Sequence, residues 1–204
     1  MAALGVAEAY LLPPRVREFF VGATVASTVW LLWGFLVLWS GSINLWFGNQ
    51  GEGATRNELK KLRRHKWHLI QGIQFSDGDV DAIVVGPGGV VAVETKWRNG
   101  KPKEQFINGD RQQLAKSATV HARDLRVYLE SKGLKMAVLC AVAVWGSAAA
   151  SLSNDGLVIV NGTPLMHGNV LKSWVRSLPS TYSPGEIRAT TELLHRRLAE
   201  QTKA

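Results

Sequence analysis

From Phe19 to Gly51 the chain carries no charged residue, and over Phe19–Trp39 apolar side chains dominate every face of a helical wheel. Those 21 residues make a helix of about 31 Å, the thickness of a bilayer's hydrocarbon core. Gly22, Thr24, Ser27, Thr28 and Gly34 dilute the run, but hydroxyls in a helix bond back to its own carbonyls. The pattern predicts a transmembrane helix at 19–39, with Trp39 and Trp46 where an interfacial aromatic belt falls. The 18-residue lead, with Pro13-Pro14, and the length of the apolar run argue against a cleaved signal peptide.

Beyond this segment the pattern breaks into short periodic stretches. After a linker at 40–50, Glu52–Lys66 reads as a helix with Leu59 and Leu62 inward and six Lys/Arg over the rest. Trp67–Phe75 reads as a strand, followed by a Ser-Asp-Gly-Asp turn. Asp81–Val85 and Val90–Lys96 are β-branched runs joined by Gly86-Pro87-Gly88-Gly89, a hairpin turn. A long helix follows within Gly109–Lys132, with Leu114, Ala118, Ala122, Leu125 and Leu129 inward. Ala137–Val144 is apolar throughout, as a strand buried on both faces requires, and Leu157–Val160 is a short further strand. Val170–Leu178 and a capping box at Ser183-Pro184-Gly185-Glu186, opening a helix to about Gln201, complete an α/β arrangement.

Composition narrows the chemistry. A single cysteine, Cys140, excludes an intramolecular disulfide framework and a thiolate zinc cluster. The five histidines have no ligand spacing with it and read as core or surface residues. Lys and Arg number 24 against 16 Asp and Glu, and residues 1–51 hold two of each sign, so the whole excess lies downstream. A basic C-terminal portion favours polyanionic partners, nucleic acid or anionic lipid. Arg56, Lys60, Lys61, Arg63 and Arg64 outnumber Arg15 and Arg17 across the apolar segment, which places the soluble domain on the cytoplasmic side.

The hairpin is where chemistry concentrates. With Pro87 and Gly88 central, opposed residues have numbers summing to 175, setting Asp81 across from Glu94 and Asp79 across from Lys96 on one face. Two carboxylates opposed in an apolar hairpin repel and lose hydration, so either one keeps a proton or a cation sits between them. A hard divalent ion, Mg²⁺ or Mn²⁺, suits two carboxylates plus a carbonyl such as that of Thr95. Lys96 then projects beside the ion, where it can position or help deprotonate a water. The plainer reading makes Lys96 the partner of a surface salt bridge with Asp79 or Glu94.

The run Asp79–Lys96, DVDAIVVGPGGVVAVETK, preceded by Gly51-Glu52-Gly53, resembles the nuclease-related domain (NERD) of the PD-(D/E)xK superfamily. The resemblance is strong over 51–100, fainter to Leu129, and absent from the last 65 or so residues. It implies a restriction-endonuclease-like mixed sheet flanked by helices and Mg²⁺-dependent DNA cleavage. By position it makes Asp81 and Glu94 metal ligands, Lys96 the water-positioning base and Glu52 the acidic residue of the first helix. Glu52 lies seven residues before Leu59, which sets it on that helix's inner face; a partner for the helix dipole is the alternative. The superfamily also places a glutamine on the following helix, here Gln112 or Gln113, with Gln112 preferred from the Asn-Gly-Asp-Arg-Gln spacing.

Arg56, Lys60, Arg63, Arg64, Arg98, Lys101, Lys103, Lys116 and Arg123 are the candidate phosphate contacts, with no element suited to reading bases. The resulting expectation is a single-pass, membrane-anchored, metal-dependent nuclease acting on DNA. A catalytically silent, membrane-tethered nucleic-acid-binding module is the alternative, and an assembly factor touching anionic lipid a third reading. Restriction-like nucleases pair two sites to cut both strands, so a homodimer is compatible by analogy alone.

Overall fold

The computed structural model describes residues 13–39, 42–75, 78–99 and 109–202. The chain divides into two compact units, Met1–Trp46 and Phe47–Ala204. In the first, α1 (Pro14–Trp39) is helical throughout, and its segment Val16–Trp39 is long and apolar enough to cross a membrane. The hydroxyls of Thr24, Ser27 and Thr28 donate to the carbonyls of Phe20, Ala23 and Thr24, so the polar residues of the run are satisfied within the helix.

Helix α2 runs from Ser42 to Lys60, starting ten residues before the expected helix, so most of the segment read as a linker is helical. Gly48, Gly51 and Gly53 weaken helix propensity there without ending it. A 3₁₀ turn, Lys61–His65, continues it and stops at Lys66, whose φ of 64° is left-handed. Strands β1 (His68–Phe75), β2 (Gly78–Gly86) and β3 (Gly89–Trp97) form an antiparallel meander, then α3 (Gly109–Ser131) crosses to β4 (Val138–Trp145), parallel to β3. A 3₁₀ turn (Ser147–Ser151), β5 (Leu157–Val160), β6 (Thr163–His167), α4 (Gly168–Ser177) and α5 (Pro184–Gln201) follow.

The six strands lie in the order β1-β2-β3-β4-β6-β5, with β6 parallel to β4 and antiparallel to β5. This mixed α/β sheet flanked by helices is the expected architecture. Strand β6 is the addition that sequence did not reveal. Pro164 interrupts its pattern, and its neighbours on both sides, rather than its own propensity, make it a strand.

Helices cover both faces. On one, Ala122, Leu125 and Leu129 of α3 and Ile187 and Leu194 of α5 pack on Ile83, Val85, Val90 and Ala92. On the other, Leu59, Leu62 and α4 residues Leu171 and Val175 pack on Val84, Val91, Val93 and Ala143. The α5 capping box forms as expected: Ser183 and Glu186 satisfy each other's backbone N–H. At the far end of α5, the Gln201 amide donates to the Gln74 carbonyl and accepts from its N–H, covering part of the β1 edge as a strand neighbour would.

Candidate active site

The hairpin register is the expected one, with Gly86 facing Gly89 and Ala82 facing Val93. The turn is glycine-rich for packing as well as conformation: a Cβ on Gly86 would lie 2.2 Å from the Trp67 ring. Past Ala82 and Val93, however, the β2–β3 ladder stops. Strand β2 stays paired to β1 through Gly78, and β3 stays paired to β4 through Trp97, so the sheet opens into a fork.

Asp81 and Glu94 stand at the root of this fork rather than as a ladder pair. The Asp81 carboxylate accepts from the Thr95 N–H at 2.6 Å, taking the place of a β2 backbone carbonyl. N–H and C=O of one strand residue point to the same neighbour, so the Thr95 carbonyl also opens toward the fork. The alternation of side chains breaks here: Ile70 and Ile73, like Val80 and Ile83, are three apart yet join one core. Gly72, with a φ of 70°, permits that break in β1.

Glu94 is only 5% exposed, and both its oxygens are engaged. The Lys96 ammonium donates to Oε1 at 2.6 Å, and His121 Nδ1 lies 3.1 Å from Oε2. An ionised carboxylate only accepts, so Nδ1 carries the proton. Lys96 therefore pairs with Glu94. Asp79, expected across from Lys96, is exposed and pairs in register with Gln74 because the fork removes it from β3.

Burial and the neighbouring Glu94 charge push the Asp81 carboxyl up to about 6; the Thr95 N–H and Lys96 oppose the rise, and Glu52 adds to it. Glu52 thus lies within electrostatic reach of Asp81. It stands exposed at the edge of the α2 inner stripe rather than in it; the buried positions there are Gly51, Thr55 and Leu59. Thr55 fixes this end of the helix, its hydroxyl receiving hydrogen bonds from the Thr95 hydroxyl (3.0 Å) and Trp145 Nε1 (2.8 Å).

Gln112 and Gln113 are exposed and line a shallow groove with Lys116, Thr119 and Asn161. The residue by which α3 reaches Glu94 is His121, nine positions and about 13 Å further along the helix. No sequence spacing announces His121; its role depends on how α3 crosses β3. Arg56, Lys60, Arg63 and Arg64 are exposed along α2 and the 3₁₀ turn, Lys116 is exposed on α3, and Arg98 is half-buried. Lys101 and Lys103 lie outside the described residues. Trp97 is half-buried and stacks on Phe47, ring centroids 5.3 Å apart.

Two carboxylates, Glu52 and Glu94, and one ammonium, Lys96, thus act on Asp81, and Lys96 pairs with Glu94. The unbalanced negative charge and hard oxygen donors fit a divalent cation. Among the described residues no three His, Cys, Asp or Glu side chains converge to hold a metal by themselves. That donor set suits an ion that keeps several waters and takes one or two carboxylates, as Mg²⁺ does, rather than a closed zinc site.

No curated protein and no solved structure matches the chain. Residues 47–144, from within α2 through β4 but for Trp145, match the family model described as NERD, nuclease-related domain. This stretch, which holds the entire fork, is similar to the nuclease-related domain family, which is usually assigned to the PD-(D/E)xK superfamily.

Proposed function

We propose that the protein is a membrane-anchored nuclease that hydrolyses DNA phosphodiester bonds with Mg²⁺ or Mn²⁺ at the β2–β3 fork. The observation that carries this reading is the joint placement of Asp81, the Thr95 backbone and the Glu94–Lys96 pair where the sheet opens. Asp81, Glu94 and the Thr95 carbonyl would hold the cation, with Glu52 adding negative charge near Asp81. A bound divalent ion supplies Lewis acidity toward a phosphate oxygen and lowers the pKa of a coordinated water. Lys96, freed from Glu94 Oε1 by the cation, would donate to the attacking water's oxygen and orient it. As that oxygen bonds to phosphorus and passes its proton to bulk water, the bond from phosphorus to the leaving sugar oxygen breaks, and that oxygen takes a proton from solvent.

Exposed Arg56, Lys60, Arg63, Arg64 and Lys116 supply non-specific phosphate contacts. The apolar segment of α1 anchors the chain in a bilayer, with the basic domain on the cytoplasmic side. Such tethering confines hydrolysis to DNA approaching the membrane.

The test uses the full chain in detergent micelles, incubated with linear and circular DNA in Mg²⁺, Mn²⁺ or EDTA. Cleavage should require metal and fall about 100-fold or more in Lys96→Ala. A folded wild-type protein that binds DNA but does not cleave it with either metal would replace this reading with the silent binding module.

A further inference from the structure

The α3 side of the fork contains a residue that the carboxylates and Lys96 do not account for. His121 projects from the middle of α3 with its side chain only 13% exposed and lies within hydrogen-bond distance of Glu94 Oε2. The opposite side of its ring rests on Gly78, the first residue of β2: a Cβ built there would lie 3.1 Å from His121 Nε2. One ring therefore touches both arms of the fork, β3 through Glu94 and β2 through Gly78, three residues ahead of Asp81.

This contact divides the work of the Glu94 carboxylate. Oε1 faces the mobile partner, a lysine on a flexible stem, whereas Oε2 faces an imidazole fixed by the helix. A cation entering the fork competes with Lys96 for Oε1, because an ammonium and a metal ion seek the same lone pairs. The bond to His121 would keep the carboxylate from rotating once Lys96 had left. Partners of this kind, which hold a ligand without touching the metal, set affinity by limiting the ligand's freedom.

We propose that His121 is a positioning residue of the metal site: its Nδ1–H fixes Glu94, and its ring holds β2 and β3 at the separation the cation needs. The proposal rests on the metal-binding reading above and adds a residue from the helix to it.

The test is Mn²⁺ affinity of the full chain in detergent, measured by electron paramagnetic resonance, alongside thermal unfolding. His121→Ala should weaken Mn²⁺ binding about 10–100-fold. His121→Phe keeps a ring against Gly78 but has no donor; it should unfold near the wild-type temperature and still lose that affinity. His121→Asn returns an N–H near the Nδ1 position and should recover most of the loss. Wild-type affinity in His121→Phe would overturn the proposal, as would failure of His121→Asn to improve on alanine. If the wild type itself bound no Mn²⁺, the metal-dependent reading would fall and this role with it; a wild type that binds while all variants bind equally well sinks the His121 role alone.

Discussion

Replacing Asp81 by asparagine separates the folding cost of this carboxylate from its use. In the absence of metal its pKa rises from 3.8 to about 6, chiefly through burial and secondarily through Glu94. A rise of roughly two pH units corresponds to about 3 kcal/mol. The sign follows from proton binding: between these values the folded state holds a proton that the unfolded state has lost, so stability falls as pH rises. The cost is absent below 3.8 and complete above about 6. Asparagine keeps an oxygen to accept the Thr95 N–H and carries no charge. Asp81→Asn should therefore stabilise the metal-free protein at pH 8 by up to about 3 kcal/mol, raising the unfolding temperature of the sheet domain by up to roughly 6–12 °C. At pH 5 the gain should shrink to about half. Thermal unfolding of the full chain in detergent with EDTA, followed by tryptophan circular dichroism at both pH values, measures this directly. Excess Mn²⁺ should raise the wild-type transition and leave Asp81→Asn unmoved. A variant less stable than wild type at pH 8, or a gain independent of pH, would refute the argument that Asp81 is held at an electrostatic cost.

Other expectations follow from individual contacts. Thr55→Val removes the oxygen that receives both Trp145 Nε1 and the Thr95 hydroxyl; it should cost about 1–3 kcal/mol and loosen α2 next to the site, measurable by urea unfolding and by hydrogen exchange at 51–58. Ser183→Ala breaks the α5 capping box and should lower stability by about 1 kcal/mol without changing metal affinity, since the helix lies outside the fork. The full chain should remain in the membrane pellet after alkaline carbonate extraction, and release into the supernatant would contradict the anchor.

Much of this arrangement is legible in sequence because it is locally determined. The Ser183–Glu186 box, the α3 stripe from Leu114 to Leu129 and the Gly86–Gly89 turn each specify their own geometry within a few residues, and the structure follows them. The same hairpin rule also fails in an informative way. It pairs Asp79 with Lys96 only if the ladder continues, and whether it does depends on β1 and β4 drawing β2 and β3 apart. His121 and β6 escape for the same reason, since long-range packing decides what each does. Gln112 shows the reverse: a spacing by family resemblance selects it, yet it faces a groove with Lys116 and Asn161 while His121 reaches Glu94. At α2, the inward Leu59 and Leu62 mark only the end of the helix from Glu52 onward, and it forms from Ser42, through Gly48, Gly51 and Gly53.

The central claim is that Asp81 and Glu94 share a divalent cation at the fork. Anomalous X-ray diffraction at the manganese edge, on crystals of the full chain soaked in Mn²⁺, tests it most directly. The account predicts a single strong peak bonded to Asp81 and Glu94, with the Lys96 ammonium displaced from Glu94 Oε1. A fork without a peak at saturating Mn²⁺, with the Glu94–Lys96 pair intact, would contradict it.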